Sequence, residues 1–60
     1  MMTAPEHALI WCELRELFSE LDSRVWLQVP NAALDGRCPK DCSFDEVMRV
    51  IDMLKSGAFA

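Results

Sequence analysis

The stretch VWLQVPNAALDGRCP, from Val25 to Pro39, decides how this chain folds. It begins as the end of a helix and breaks at Pro30, because proline donates no backbone hydrogen bond and disfavours helical geometry in the residue before it. Asn31 can cap a short turn over the following AAL, and Gly36 supplies the positive φ that a chain reversal needs. Pro39 then begins another short turn. The stretch therefore predicts a linker of short helical turns.

A one-sided helix precedes this stretch. Thr3 and Glu6 have the spacing of a capping box, and Pro5 suits a first helical turn. The apolar residues after them recur at the intervals that fill one helix face, and they are Ile10, Leu14, Leu17, Phe18 and Leu21, flanked by Trp11. Ser19 or Asp22 can cap a second helix. The apolar stripe of that helix consists of Leu21, Val25 and Val29, broadened by Trp26.

A third helix follows the linker. Ser43 and Glu46 form a second capping box, Lys55 suits the negative end of the helix dipole, and Gly57 marks the end of the helix. The predicted apolar face contains Val47, Val50, Ile51 and Leu54. No segment alternates with the period of a β-strand. We therefore predict an all-α, small three-helix domain with short helical turns between the second and last helices, formed as a single domain by residues 1–60.

Composition limits the possible functions. A formal net charge of -4 disfavours nucleic-acid binding, since phosphates repel an acidic surface, and it favours a basic protein partner. No apolar run has the length of a membrane span. The N-terminal segment lacks the basic residues of a signal peptide, so we expect a cytoplasmic location. Three cysteines in such a chain are expected to be reduced thiols, not a disulfide framework.

The stretch between the helices also carries a motif. Its order and spacing are WL-x-x-PN-x-x-L-x-G-x-x-P, formed by Trp26, Leu27, Pro30, Asn31, Leu34, Gly36 and Pro39. The motif resembles that of the toxin-binding domain of Xre/MbcA/ParS-type antitoxins, and the resemblance extends from roughly Phe18 to Ala60. Each motif residue has a structural role. The apolar side chains of Trp26, Leu27 and Leu34 are expected to pack the second helix and the following turn into the core. The other residues cap a turn, end a helix, reverse the chain or begin the next turn. We therefore expect the motif to identify the fold and not the contact surface.

The resemblance implies inhibition by binding. Antitoxins of this type pair with a RES-type toxin, which consumes NAD, and their C-terminal part lies over the entrance to the toxin's active site. Carried over to this chain, the implied partner-binding residues are Arg37, Lys55, Ser56, Gly57, Ala58, Phe59 and Ala60. Phe59 either inserts into a pocket of the partner or folds back onto the chain's own core, and the sequence leaves both possibilities open.

The chain departs from the family pattern in two places. Antitoxins of this type usually carry an N-terminal helix-turn-helix domain, whereas only one helix precedes the match here, so we expect a stand-alone domain that does not bind DNA by itself. The segment KDCS, before the last helix, is polar where the family pattern suggests apolar residues.

The first helix suggests self-association. Its apolar residues exceed what a lone three-helix core can use, so we predict a homodimer through Ile10, Trp11, Leu14 and Phe18. On this prediction residues 1–18 form an N-terminal helix that serves as a dimerisation element. Residues 19–60 form the region that resembles the toxin-binding domain.

Other functions receive less support from the residues. His7 has no serine, cysteine or lysine in a nucleophile pattern, so we expect no enzyme activity and no cofactor. Cys38 and Cys42, with His7 or Cys12, lack the paired spacing of a zinc site, so no metal is expected. Two alternatives stay open: a phage or mobile-element protein that inhibits a host regulator or enzyme by stoichiometric binding, and a dimerisation module within a larger assembly.

Overall fold

The computed structural model describes residues 2–57 and consists of three α-helices joined by short connections. The helices are α1 (Ala4–Leu17), α2 (Glu20–Gln28) and α3 (Phe44–Ser56), and two 3₁₀ turns, Ala32–Leu34 and Pro39–Asp41, lie between α2 and α3. Over the described residues, β structure is limited to an isolated antiparallel bridge between Asn31 and Arg37. The predicted all-α, three-helix architecture with short helical turns before the last helix is therefore confirmed.

Side-chain caps fix where the helices begin. Thr3 and Glu6 form a reciprocal capping box at α1, with the Thr3 backbone N–H donating to Glu6 Oε1 at 2.9 Å. Ser19 caps α2 by accepting from the Asp22 N–H at 3.2 Å, which decides between the two caps that the sequence left open. Because Phe18 adopts an extended backbone, α1 ends directly before α2 begins, and the chain turns there without a loop.

The linker closes on itself between Asn31 and Arg37. The Asn31 N–H donates to the Arg37 carbonyl at 3.1 Å, and the Gly36 N–H donates to the Asn31 carbonyl at 2.9 Å. Asn31 Oδ1 also accepts from the Ala33 N–H at 2.9 Å, so its side chain caps the first 3₁₀ turn as expected. Gly36 has a φ of 79°, and Asp35, at 56°, shares the left-handed region with it. The predicted reversal at Gly36 is confirmed.

The core lies between α1 and the apolar face of α3, with α2 and the linker packed around it. The buried apolar side chains are Ile10, Leu14, Leu27, Leu34, Cys42, Val47, Val50 and Ile51. Of the motif residues, Leu27, Leu34 and Pro39 are buried, Trp26 is half-buried against the core, and Pro30 is exposed. The motif therefore serves mainly to build the fold.

The predicted dimer face on α1 needs correction. Ile10 and Leu14 are 0% exposed within the single chain, and Trp11 and Phe18 are half-buried against the same core. The reason is that the apolar face of α3 covers this side of α1. The expectation of an exposed α1 face is therefore wrong for Ile10 and Leu14, which cannot contact a second chain without unfolding the first.

Helix α2 instead turns its apolar stripe to solvent. Leu21 is 69% exposed, Val25 51% and Val29 48%, whereas Ser23 and Leu27 are buried. At 100° per residue, Ser23 and Leu27 lie about 160° around the helix from Val25. The stripe thus points almost directly away from the core. None of the helices within residues 2–57 is both long enough and apolar enough to cross a membrane.

Candidate protein-binding surface

Arg37 is held at the start of α3 by two contacts. Its Nε–H donates to the Leu34 carbonyl at 3.0 Å, and its Nη2 lies 3.3 Å from Glu46 Oε1. The other oxygen of that carboxylate, Oε2, accepts from the backbone N–H of Ser43, the N-cap of α3. Arg37 therefore links the Asn31–Arg37 loop to the capping box of α3. Its side chain remains half-exposed, so it is available to a partner.

Lys55 is held at the other end of α3. Its Nζ donates to Glu13 Oε1 at 2.8 Å and lies 3.6 Å from Glu16 Oε2, so it connects the last turn of α3 to α1. Glu46 and Lys55 are nine residues apart on α3, which corresponds to about 13 Å along the helix. The two predicted basic residues, Arg37 and Lys55, are therefore not adjacent. They secure opposite ends of the same helix.

The end of α3 is closed by Gly57. Its φ of 79° is left-handed, and its N–H donates back to the Leu54 carbonyl at 3.2 Å. Ser56 is exposed and its hydroxyl donates to the Met53 carbonyl at 3.0 Å. The predicted helix stop at Gly57 is thereby confirmed. The remaining predicted partner-binding residues, Ala58, Phe59 and Ala60, lie outside the described residues.

A shallow concave surface runs along the outer side of α3. We call it the α3 outer face, and it consists of Asp45, Met48, Arg49, Asp52, Met53 and Ser56. A second hollow, beside Arg37 and Glu46, shares Arg49 and Met53 with it. The face is therefore continuous from Arg37 to the last turn of α3. Two methionine side chains, Met48 and Met53, give this face, whose other residues are polar, adaptable apolar contact area.

Both ion pairs shift the pKa values of their members. The Lys55 hydrogen bond, helped by Glu16, lowers the pKa of Glu13, and the Glu13 carboxylate raises the pKa of Lys55. The Ser43 backbone N–H and then Arg37 lower the pKa of Glu46, while Glu46 raises the pKa of Arg37. All four groups are therefore held more firmly in their charged forms at neutral pH than in an open chain.

The cysteines are separate thiols. Cys12 is exposed on α1, Cys38 Sγ donates to the Gln28 carbonyl at 3.3 Å, and Cys42 Sγ donates to the Cys38 carbonyl at 3.4 Å. Burial raises the pKa of Cys42, which disfavours its thiolate form. Over residues 2–57, no group of three or more histidine, cysteine or acidic side chains is close enough to hold a metal ion.

Several surface features were absent from the sequence-based prediction. The two predicted basic residues, Arg37 and Lys55, form ion pairs with Glu46 and with Glu13 and Glu16, respectively. These acidic partners lie on other elements, so no local sequence pattern indicates them. Met48 and Met53 line the α3 outer face, although helical spacing alone places them only at the edge of the apolar side. The exposure of the α2 stripe was also missed. Its three apolar residues, Leu21, Val25 and Val29, were visible in the sequence, but their direction was not.

A protein-family model matches most of the chain. The family model described as the antitoxin Xre/MbcA/ParS C-terminal toxin-binding domain matches residues 13–57. The match begins within α1, at residue 13, and covers all of α2, the linker and α3. No curated protein and no solved structure matches the chain.

Proposed function

The chain belongs to the antitoxin Xre/MbcA/ParS C-terminal toxin-binding domain family, and on this premise we propose that it neutralises a protein toxin by binding it. The match across residues 13–57 is the observation that carries the proposal. We propose further that the toxin is of the RES type, which consumes NAD, and that the protein acts in the cytoplasm. On this proposal the chain inhibits without catalysing a reaction and needs no cofactor.

The contact surface that we propose is the α3 outer face together with Arg37 and the segment from Lys55 to Ala60. Two ion pairs support this choice, since Arg37–Glu46 and Lys55–Glu13 hold α3 at both of its ends. A helix fixed in this way presents its C-terminal residues in a defined direction, which lowers the entropy lost on binding. The left-handed Gly57 ends α3 beside Lys55 and Ser56, which the proposed contact surface includes.

The acidic charge of this chain favours a toxin whose active-site entrance is basic. The chain carries a net charge of -4, and Asp45 and Asp52 lie on the α3 outer face. An acidic inhibitor surface attracts a basic rim and accelerates encounter. Arg49 interrupts the acidic residues on that face and can pair with a carboxylate of the toxin.

Co-expression with RES-type toxins tests the proposal. Cells that produce such a toxin should keep their NAD when the intact chain is present, and the intact chain should bind the toxin in a pull-down. A chain cut after Gly57 should stay helical by circular dichroism but lose the protection. Arg37→Ala should weaken protection, whereas Arg24→Ala, on α2 and away from the proposed surface, should not.

Three outcomes contradict parts of this proposal. Failure of the intact chain to bind or inhibit any of a panel of RES-type toxins would reject the toxin class. Full protection by the chain cut after Gly57 would reject the covering role of the C-terminal segment. Capture of a host regulator or enzyme in place of a toxin would favour a stoichiometric inhibitor of host proteins built on the same family fold.

A further inference from the structure

We propose that a hollow beside α2 binds an arginine side chain of a protein partner. The hollow has a volume of about 310 Å³, and its lining combines two aromatic residues, Phe18 and Trp26, with the acidic residue Asp22. Ligand sites in proteins have volumes of roughly 300–1,000 Å³, so this one is at the small end of the range. It therefore suits a single inserted side chain.

The helical repeat of α2 brings the acidic and aromatic residues together. Asp22 and Trp26 are four residues apart, and Asp22 and Val25 are three apart, so both pairs are neighbours on the helix surface. Phe18 directly precedes Ser19, the N-cap of α2, and borders the same hollow. Phe18 and Trp26 are only partly buried against the core, so each keeps accessible surface. A ligand in the hollow therefore meets a negative charge and aromatic rings at once.

The charge of Asp22 is not neutralised by a neighbour. The ion pairs within residues 2–57 use Arg24, Arg37 and Lys55, and none of them includes Asp22. Arg24 pairs with Glu20 at 3.8 Å and does not line the hollow, since it lies about 200° around the helix from Asp22. The Asp22 carboxylate is therefore available to a cation from another molecule.

The end of α2 adds a second preference for positive charge. Trp26 lies in the last turn of α2 and Val29 is its C-cap, so the hollow adjoins the negative end of the helix dipole. The helix has acidic residues in its first turn but no basic residue in its last turn. Pro30 follows directly and has no N–H to offer there. A cation in the hollow supplies the positive charge that this helix end lacks.

The other polar residue of the hollow, Asn31, already uses its acceptor groups. Its Oδ1 accepts from the Ala33 N–H at 2.9 Å, and its carbonyl accepts from the N–H groups of Leu34 and Gly36. These contacts hold Asn31 within the linker. Asp22 is therefore the main acceptor that a ligand in the hollow can reach, and substitution of Asp22 tests the proposal directly.

Arginine fits this combination of groups better than lysine. Its planar guanidinium group can stack on an aromatic ring and donate two parallel hydrogen bonds to a carboxylate, whereas the lysine ammonium is compact and strongly hydrated. Val25 and Val29, which are 51% and 48% exposed, offer apolar surface to the methylene groups of the arginine side chain. The net charge of -4 also attracts a basic partner from a distance.

An NMR titration of the isotope-labelled intact chain with the peptide acetyl-Leu-Arg-Leu-amide tests the proposal. The signals of the Trp26 indole N–H and of the backbone N–H groups of Asp22 and Asn31 should shift along one common binding curve. The indole N–H of Trp11, on α1 and outside the hollow, should not shift. Peptides with citrulline, which has the shape of arginine without its charge, or with lysine should bind at least about threefold more weakly.

Charge variants of α2 show whether Asp22 binds the guanidinium group. Asp22→Asn should weaken binding of the arginine peptide by about two- to fivefold, the range for an exposed ion pair, and Asp22→Glu should keep most of the affinity. Glu20→Gln is the matched control, because it removes one negative charge from the same helical turn but lies outside the hollow. That variant should bind like wild type, and circular dichroism should show that all three variants are helical.

Several results overturn the proposal. They are an unshifted Trp26 indole signal at the highest soluble peptide concentration, equal binding of the arginine and citrulline peptides, and wild-type binding by a helical Asp22→Asn variant. Equal binding of the lysine peptide overturns the selectivity for arginine. The titration uses no toxin, and the hollow shares no residue with the α3 outer face, so these results are independent of the proposed toxin inhibition.

Discussion

Ser23 brings a hydroxyl group into the core, where its Oγ has no hydrogen-bond partner among the described residues. Its small side chain lets α2 pack closely against the core, with 0% exposure, but the hydroxyl loses its contact with water. An unsatisfied buried polar group costs about 1–3 kcal/mol. Burial of this hydroxyl therefore lowers the stability locally, while the small side chain lets α2 lie close to the core.

Ser23→Ala should therefore stabilise the protein by about 1 kcal/mol, because it removes the unpaired hydroxyl and leaves a cavity smaller than a methyl group. Urea denaturation followed by circular dichroism measures the change. Ser19→Ala is the control, since that serine caps α2 and its loss should destabilise by about 1 kcal/mol. Destabilisation by Ser23→Ala would show that the hydroxyl has a partner in solution.

Gly36 is a second single residue whose substitution should change the stability of the protein, here through its backbone conformation. Its φ is 79°, and a Cβ built there has no neighbour within 4 Å, so strain alone determines the cost of a side chain. Gly36→Ala should destabilise by about 1–2 kcal/mol. A chemically synthesised chain with D-alanine at position 36 should be as stable as wild type or more so, because a D-residue favours positive φ. Equal losses for the two alanines would instead indicate a steric clash.

At the scale of the helices, two ion pairs hold α3, and they respond to acid. Lys55 lowers the pKa of Glu13, and the Ser43 N–H with Arg37 lowers that of Glu46, both from an ordinary value of 4.5. Below that value the unfolded chain binds protons more readily than the folded one, so unfolding becomes easier. The stabilisation is present above about pH 4.5 and is lost as the pH falls through the lowered pKa values.

Glu13→Gln should therefore flatten the dependence of stability on pH in this acidic range and reduce stability at neutral pH. Lys55→Gln should flatten the same part of the curve, since either change breaks the pair, and the double variant should lose little more than the single ones. Denaturation midpoints between about pH 3 and 7 measure the effect. Additive effects of the two substitutions would show that the residues do not interact in solution.

The helices themselves could be predicted from the sequence because their signals are local. Capping boxes at Thr3 and Ser43, proline stops and the glycine at position 57 act within a few residues, and the structure has each of them where expected. The orientation of α2 could not be predicted in this way. Periodicity identifies the apolar stripe of a helix, but only tertiary packing decides which side meets the core. Here a serine and Leu27 meet it, and the valines do not.

At the scale of the whole molecule, the candidate surfaces depend on contacts between distant parts of the chain. The family motif identified the fold from the sequence, because its residues build the linker and part of the core. Lys55 and Arg37 could be named from the resemblance, but their partners could not, since Glu13 lies 42 positions from Lys55 in the sequence. The exposure of the apolar stripe of α2 and the charged character of the α3 outer face likewise emerge only when the helices are assembled.

The charge of the molecule predicts how salt affects the proposed toxin binding. The chain carries a net charge of -4, and the binding of a toxin with a basic entrance gains from electrostatic attraction, so screening by salt should weaken it. Between about 20 and 500 mM NaCl, where the Debye length falls several-fold, surface-immobilised toxin should bind the chain more slowly as the salt concentration rises. An association rate that does not change with salt would show that attraction between an acidic chain and a basic entrance does not guide the encounter.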